Sequence, residues 1–298
     1  MDIKKYEVLL DTIGKGSFIK VCDEVGYTQA GISHMMNSLE REIGFRLLRR
    51  SNKGVLLTQE GQQVLPTIKE LVRISDKLNQ EFDLIRGLET GKVRIGSFPT
   101  MAGVWLPHVI RSFHERYPAI QIELVEEDSM WRLEEWLSDG FIELCFISRQ
   151  PHHTFEWIDL KRDLYLVVLP EHHPLTEYDQ VPAEMLMKEP FIMCRSLDGP
   201  DMDISRYFEQ MGIQEKATFA SNSDYTILFM VEQNLGISLL PELILNKVLG
   251  SYFKGLVIKP LYPPAYRQLG MAVRSLQGVS PAMERFIKCT KEILLSGE

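Results

Sequence analysis

The sequence has few cysteines, and they lie far apart. Its 298 residues contain four, namely Cys22, Cys145, Cys194 and Cys289, each within an apolar run. This spacing argues against a disulfide framework or a zinc site and predicts buried thiols in a reducing compartment. The chain also lacks an N-terminal apolar leader and any apolar run long enough to cross a bilayer. We therefore expect a cytoplasmic protein with no membrane partner.

Catalytic signatures are missing as well. The sequence contains no G-x-S-x-G, P-loop, dinucleotide fingerprint or H-E-x-x-H pattern. Two histidine pairs, His152-His153 and His172-His173, lie beside prolines in polar surroundings. Because adjacent residues of an extended chain point to opposite faces, we expect neither pair to bind a metal. The sequence thus predicts neither an enzyme nor a cofactor.

The chain has no excess of positive charge, since its formal net charge is −8. The acidic residues are concentrated late: residues 1–60 hold nine basic and eight acidic side chains, whereas residues 88–298 hold 20 and 29. Between Arg41 and Lys53, five basic residues face a single acid, Glu42. A phosphate senses charge only within a Debye length of about 8 Å. Nucleic-acid binding by two or more copies of this N-terminal part is therefore compatible with the composition.

Residues 17–44 have the pattern of two short helices joined by a glycine turn. Ser17 is a candidate N-cap for a helix that ends at Gly26, and Thr28 is a candidate N-cap for the next helix. The apolar positions of the second helix are Ala30, Ile32, Met35, Met36 and Leu39. The polar positions left for its other side are Gln29, Ser33, His34 and Asn37. This spacing predicts a helix-turn-helix, packed against an opening helix over residues 2–15.

A short hairpin follows. Two apolar segments flank Ser51-Asn52-Lys53-Gly54, a turn sequence, and Arg46, Arg49 and Arg50 lie beside it. Together with the preceding helices, the segment resembles the winged helix-turn-helix of LysR-type transcriptional regulators. The matching residues are Gly16-Ser17-Phe18, Thr28-Gln29, Ser33, Leu39-Glu40, Gly44, Leu47, Arg50, Leu57-Thr58 and Gly61. The residue pattern alone leaves open three generic helices and a hairpin in an unrelated core.

Residues 59–87 are predicted to form one long helix. Its apolar positions recur at alternating spacings of four and three, which makes a heptad seam interrupted by Ser75. The seam consists of Val64, Ile68, Leu71, Leu78, Phe82 and Ile85. An apolar stripe must be buried against something, and the resemblance implies a second copy of the chain. Packing of the seam on the chain's own C-terminal part is the alternative.

From residue 91 onward, short apolar strands alternate with helical stretches, which predicts parallel sheets covered by helices. The resemblance implies an α/β effector domain of two lobes, similar to the periplasmic binding proteins. The implied division is 1–58 for the winged helix-turn-helix, 59–90 for the linker helix, 91–162 with 267–298 for the first lobe, and 163–266 for the second. Chain crossings near Arg162-Asp163 and Pro263–Arg267 would form the hinge.

Hydroxyl residues lie where strands of this domain give way to helices, and ligands of α/β sheets gather at such ends. The resemblance implies an effector site there, and its candidate residues are Ser97, Thr100, Met101, Ser129, Ser148 and Ser223. Hydroxyls near helix N-termini favour a small anion, with a carboxylate as the candidate. The alternative is that these residues only cap helices. Asp128, Asp198 and Asp201 near the rim weaken the anion argument.

The resemblance therefore implies a sequence-specific regulator that binds double-stranded DNA with two-fold related half-sites as a homodimer or homotetramer. Gln29, Ser33, His34 and Asn37 would face the major groove. Phosphate or minor-groove contacts would come from Ser17, Thr28, Arg50 and Lys53. A small-molecule effector and RNA polymerase are the further expected partners. A constitutive DNA-binding repressor with no effector is the alternative function.

Overall fold

The computed structural model describes residues 2–51, 54–87, 89–196, 198–248, 253 and 255–295. By compactness it divides into two units, residues 1–88 and 89–298. Within the described residues, no helix combines the length and apolarity that a membrane crossing requires.

The first unit contains four helices and a two-stranded hairpin. The elements are α1 (Ile3–Lys15), α2 (Phe18–Val25), α3 (Gln29–Ile43), β1 (Leu48–Ser51), β2 (Gly54–Leu57) and α4 (Gln59–Ile85). The helix-turn-helix, its hairpin wing and the long helix thus form where the sequence predicts them.

The core of this unit explains why its short helices are stable. Leu9 of α1 packs with Ile32, Met36 and Leu39 of α3, and the cluster also takes in Val55 of the wing. Helices of 8 and 15 residues are marginal in isolation. Burial of this shared apolar face is therefore what stabilises them.

The turn of the helix-turn-helix has the predicted backbone chemistry. Gly26 ends α2 with φ of 68°, a left-handed conformation that costs glycine nothing. Thr28 is the N-cap of α3, and its Oγ1 accepts a hydrogen bond from the amide of Gly31 at 3.1 Å. Ser17 occupies the N-cap position of α2, but its side chain makes no capping hydrogen bond. The prediction that its hydroxyl caps the helix is therefore wrong.

A carboxylate fixes the wing to α3. Glu40 Oε1 accepts hydrogen bonds from the amides of Leu47 at 2.8 Å and Leu48 at 2.9 Å. Thr58 then caps α4 by accepting from the amide of Gly61 at 3.0 Å, and its hydroxyl donates to the carbonyl of Arg46 at 2.7 Å. A Cβ at Gly61 would lie 2.5 Å from the carbonyl oxygen of Leu47, so only glycine allows this approach.

The second unit is built from alternating strands and helices. Its strands are β3 (Gly91–Ser97), β4 (Ile120–Glu126), β5 (Leu144–Ser148), β6 (Glu156–Pro170), β7 (Val181–Pro182), β8 (Ile192–Ser196), β9 (Gly199–Pro200), β10 (Phe219–Ser221), β11 (Ser238–Pro241) and β12 (Leu256–Val273). Its helices are α5 (Pro99–Val104), α6 (Leu106–Arg116), α7 (Met130–Ser138), α8 (Ala183–Leu186), α9 (Met202–Gln210), α10 (Asp224–Glu232), α11 (Glu242–Val248) and α12 (Pro281–Leu295). The single helix predicted over residues 101–117 is divided at Trp105.

The main sheet has the strand order β11-β6-β12-β5-β3-β4. Strand β3 pairs in parallel with β4 and β5, as the strand–helix alternation predicts. Helices α6 and α12 pack on this part, where the ring of Phe113 lies 5.2 Å from that of Phe286. These elements form the first lobe.

Strands β8 and β10 are also parallel, and together with α9 and α10 they belong to a second lobe with its own apolar clusters. Asn234 adopts φ of 59° after α10, a left-handed geometry that asparagine tolerates.

Two long strands join the lobes. Strands β6 and β12 are antiparallel over most of their length, with a register shift between Pro260 and Ala265. The expectation of parallel sheets alone is therefore wrong for this ribbon. In its register Asp163 faces Arg267, so the two segments predicted to form the hinge lie side by side.

Candidate functional site

Helix α3 presents a polar face to solvent. Gln29, His34 and Asn37 are exposed, and Ser33 is half-buried. The opposite side carries the buried Ile32, Met36 and Leu39. Core burial therefore fixes which side of α3 is available to a partner, and three of its four predicted base-reading residues lie fully on that side.

Positive charge lies beside this face. Arg41 near the end of α3, Arg46 in the connection to the wing and Arg49 on β1 are all exposed. The Arg49 guanidinium donates to the carbonyl of Leu57 across the hairpin at 3.3 Å. Arg50 belongs to β1, but its side chain lies outside the described residues, as does the whole of Lys53.

The predicted seam of α4 divides into two parts. Ile68 is only 7% exposed, and Val64 and Leu71 pack around it in the core of the first unit. These three residues stabilise the chain's own head, so the surface left for a partner is shorter than the sequence predicted. Leu78 is 45% exposed, Phe82 46% and Ile85 84%, and Ile74 at 51% extends the same face. We call Ile74, Leu78, Phe82 and Ile85 the α4 stripe.

The second unit contains a cleft of about 690 Å³ between its lobes. The ends of β3, β4 and β5 border it from the first lobe, and the ends of β8 and β10 from the second. This is where ligands of α/β sheets collect. The volume lies within the range of about 300–1,000 Å³ that is typical of small-molecule sites.

The predicted effector residues separate into lining and buried groups. Thr100, Ser148 and Ser223 line the cleft. Ser97 is fully buried and donates to the carbonyl of Phe98, and Met101 packs within the core of the first lobe. These two positions are therefore corrected from ligand contacts to structural ones. Ser129 lies just behind the lining and donates to Asp198 across the cleft.

Seven carboxylates of the described residues belong to the lining, and the sequence pattern indicates only three of them. The sequence predicts Asp128, Asp198 and Asp201 at the rim of the cleft and does not indicate the other four. We call the full set the acidic cleft wall: Glu126, Glu127, Asp128, Asp198, Asp201, Asp203 and Asp224. The sequence does contain a pattern that could have indicated these acids, because they follow strands β4, β8 and β10 just as the predicted hydroxyls do.

Within the described residues, several hydrogen bonds cross the cleft to aspartates of the wall. The Thr100 hydroxyl donates to Asp224 at 3.2 Å, and the side-chain amide of Gln150 donates to Asp203 at 3.1 Å. The amide of Asn222 donates to Asp128 at 2.6 Å, in addition to the contact between Ser129 and Asp198. The lobes are thus held together through groups that a ligand could replace.

One buried cation lies at the crossing of the two lobes. Arg267 lines the cleft, and its Nε donates to Asp163 Oδ2 at 2.9 Å, with both side chains 5% exposed. Burial opposes the positive charge of Arg267, but Tyr165, Asp163, Asp201 and Asp224 outweigh it and raise its pKa. The guanidinium therefore stays charged beneath the cleft floor.

Burial shifts the ionisation of several wall residues. It raises the pKa of Asp224, although Arg267 and the hydroxyl of Thr100 act in the other direction. Burial and the charge of Asp201 raise the pKa of Asp203. Burial and Asp224 also raise the pKa of the Cys194 thiol well above its usual range. Cys194 is therefore a poor nucleophile, because the thiolate is the reactive form.

The histidine pair at 152–153 does not point to opposite faces, so that expectation is wrong. His152 Nε2 lies 3.1 Å and His153 Nε2 2.7 Å from Oε1 of Glu134. His153 Nδ1 accepts a hydrogen bond from the backbone amide of Gln150 at 3.3 Å. Burial opposes ionisation of Glu134, but the two imidazoles outweigh it and lower its pKa. The ligand atoms of Glu134, His152 and His153 lie within 4.8 Å of one another, so the structure brings together three potential metal ligands that were not expected at this position.

Comparison with known proteins agrees with this architecture. Residues 3–62 match the model described as "Bacterial regulatory helix-turn-helix protein, lysR family", and residues 86–294 match the "LysR substrate binding domain". The chain is 30% identical over 295 residues to the uncharacterized HTH-type transcriptional regulator YvbU of Bacillus subtilis, covering 98% of this chain and 99% of that protein.

Two solved structures share the fold. Full-length OxyR from Pseudomonas aeruginosa aligns with a TM-score of 0.77 at 19% identity, covering 98% of this chain and 95% of that one. Full-length BenM aligns with a TM-score of 0.62 at 21% identity, covering 99% and 97%. The matched models span both units, so the chain belongs to the LysR family of transcriptional regulators, with a DNA-binding winged helix-turn-helix and an effector-binding α/β domain.

Proposed function

We propose that this regulator reads two-fold related half-sites in double-stranded DNA by placing the polar face of α3 in the major groove. The observation that carries the proposal is the exposure of Gln29, His34 and Asn37 opposite a fully buried apolar side. Amide side chains can form paired hydrogen bonds with adenine edges. Ser33 is half-buried, so we assign it a contact at the edge of the groove.

Contacts to the DNA backbone would surround this face. Thr28 lies at the N-terminus of α3, where free amides attract phosphate. The hydroxyl of Ser17 makes no capping bond and is therefore suited to a phosphate contact. Arg50 and Lys53 of the wing would follow the backbone or enter the adjacent minor groove.

Pairing of two chains would set the distance between the two reading helices. The α4 stripe supports this part of the proposal because it leaves apolar side chains in water unless a partner covers them. A homodimer is the smallest assembly that provides two heads, and a homotetramer is the larger alternative.

We place the linker helix at residues 59–90, with the head at 1–58 and lobes of 91–162 plus 267–298 and 163–266.

A small molecule in the cleft would control the assembly by shifting the balance between open and closed lobes. The hydrogen bonds across the cleft and the double crossing of β6 and β12 support a hinge motion. An open cleft of about 690 Å³ speaks against the alternative of a repressor without an effector. The candidate carboxylate effector is less well supported, because the lining is acidic.

The remaining features of the proposal follow from the family. Regulation of promoters places the chain in the cytoplasm and makes RNA polymerase a candidate partner. We assign no catalytic role, in keeping with relatives that are named as transcriptional regulators.

Selection of duplexes from a random library by the purified full-length chain tests the proposal. We expect enrichment of a sequence with two-fold symmetry and half-sites about one or more helical turns apart. A footprint on the DNA upstream of the chain's own gene should then fall on that sequence. Retention of the whole library without enrichment would count against sequence-specific regulation.

A further inference from the structure

The acidic cleft wall has more carboxylates than ion pairs, although burial raises the pKa of Asp203 and Asp224. Arg132 lies 3.4 Å from Glu127, and Arg206 is paired with Asp203. Arg267 forms its ion pair with Asp163, which is not part of the wall, although its charge also acts on Asp201 and Asp224. The other five wall residues, Glu126, Asp128, Asp198, Asp201 and Asp224, form no ion pair within the described residues. An anionic ligand would enter a strongly repulsive cleft, whereas a cation would be attracted.

Backbone amides at the starts of α7 and α9 are already occupied. Asp201 Oδ1 accepts from the amides of Asp203 at 2.8 Å and Ile204 at 3.1 Å, at the start of α9. Glu127 Oε1 accepts from the amides of Asp128 at 3.0 Å and Ser129 at 3.1 Å, just before α7. At these two helix starts, the protein's own carboxylates thus fill positions that a ligand carboxylate could use.

Arg267 adds a second, independent feature. Its Nη2 lies 2.9 Å from the same Asp163 oxygen that its Nε uses, yet this buried atom has no hydrogen-bond partner of normal geometry. A buried donor without a partner costs free energy, and Arg267 lines the cleft. A ligand that supplies one acceptor oxygen would satisfy it.

The size and the apolar part of the lining favour an organic ligand over a bare ion. Phe98, Trp131 and Tyr225 line the cleft, and the last two rings are exposed. Aromatic faces attract organic cations and contact their methylene groups. A metal ion would use neither these rings nor the donor of Arg267.

We infer that the cleft binds a small organic cation, a primary amine or guanidinium whose charged end faces Asp201 and Asp224 and whose oxygen acceptor meets Arg267. The inference rests on the proposed function only in treating this cleft as the effector site. It replaces the carboxylate suggested by the hydroxyl residues, because the hydroxyls of Thr100 and Ser129 already donate to aspartates.

A matched series of four-carbon probes tests the inference on the full-length chain. Putrescine has two amines, aminobutanol has one amine and one hydroxyl, butanediol is neutral, and succinate has two carboxylates. At equal ionic strength we expect both amines to raise the melting temperature, and butanediol and succinate to leave it unchanged. Stabilisation by succinate in place of the amines, or by no amine at all, would overturn the inference.

Two variants locate the effect. Asp224→Asn and Asp201→Asn keep the shape and the acceptor oxygen of each side chain, and each should weaken aminobutanol binding at least about tenfold. Glu209→Gln removes the same charge from an exposed position on α9 outside the lining and should bind like the parent. Equal weakening in all three variants, or in none, would place the amine elsewhere and refute the assignment.

Magnesium ion serves as the competing probe. If Mg²⁺ stabilises the parent as strongly as the amines and Asp224→Asn abolishes both effects, the wall binds a metal ion and the inference fails. Anisotropy of labelled duplex, measured separately, reports on the proposed function. Amine binding without any DNA binding would refute the proposed function alone, whereas DNA binding that responds to succinate and not to amines would refute this inference alone.

Discussion

Asp224 affects both the stability of the folded protein and the proposed binding of a cationic ligand in the cleft. Its carboxylate accepts from Thr100 across the cleft and lies near Cys194, with the charges of Arg267 and Asp201 around it. Because burial raises its pKa, the ionised form is disfavoured in the folded protein. The Asp224 carboxyl therefore contributes its full stabilisation at pH values below its pKa in the unfolded chain. This stabilisation is lost as the pH rises through its pKa in the folded protein.

Replacing Asp224 by asparagine should make the free protein more stable at neutral and higher pH. The amide oxygen still accepts the Thr100 hydroxyl, while the buried charge is removed. We expect Asp224→Asn to melt above the parent at neutral and alkaline pH, and the difference to shrink as the pH falls and the parent takes up its proton. Thermal melts across this range measure it. Asp179→Asn, at an exposed position, should show no such trend, and a constant gain in Asp224→Asn would contradict the explanation.

Gln29 is the position where α3 is expected to distinguish bases. Replacement by alanine should weaken the free energy of binding to the selected duplex by about 1–3 kcal/mol and change binding to random DNA little, because it removes only a contact with a base edge. Anisotropy titrations of both duplexes measure this difference. Gln63→Ala, at an exposed position on α4, is the matched control and should bind both duplexes like the parent. Equal losses on the two duplexes would make Gln29 a backbone contact.

At the scale of elements, α4 has two roles along one helix. Its N-terminal part completes the core of the head through Ile68, and its later part exposes the α4 stripe. The spacing of apolar residues reveals the helix and its face. It does not reveal which turns are used by the chain's own core, because that depends on the packing of α1 and the wing against Ile68.

The double change Leu78→Glu with Phe82→Glu should separate the proposed pair of chains. Both residues belong to the α4 stripe and lie outside the core of the head, so charge there should disrupt pairing and leave the fold intact. Light scattering should give the mass of one chain, while the far-ultraviolet circular dichroism stays that of the parent. Asn79→Glu, on the same turns but outside the stripe, should keep the mass of the parent. An unchanged mass in the double variant would place the interface elsewhere.

The ribbon of β6 and β12 shows what local pattern misses. Pro260, Pro263 and Pro264 interrupt the segment that becomes β12, and proline normally argues against a paired strand. The strand forms because its partner β6 is already fixed in the sheet and the register shifts where the prolines lie. The same reason hides the acidic cleft wall, since Asp128, Asp203 and Asp224 meet only through this long-range pairing. Helix caps and strand ends such as Thr28 and Ser148 depend on local sequence and could be predicted.

At the scale of the whole molecule, the account requires two weakly basic heads to act together. Residues 1–60 carry nearly balanced charge, so phosphate contacts of one head alone should give little affinity. Pairing doubles the contacts and also fixes their separation along the duplex. DNA with two correctly spaced half-sites should therefore bind far more tightly than the sum of two isolated half-sites.

The spacing between half-sites gives the most direct measurement of this claim. Anisotropy titrations would compare the selected duplex with one in which about five base pairs, half a helical turn, are inserted between the half-sites. Because the insertion moves one half-site to the opposite side of the duplex, the account predicts binding as weak as that of a single half-site. Unchanged affinity for the duplex with the insertion would contradict the pairing of two heads at a set separation.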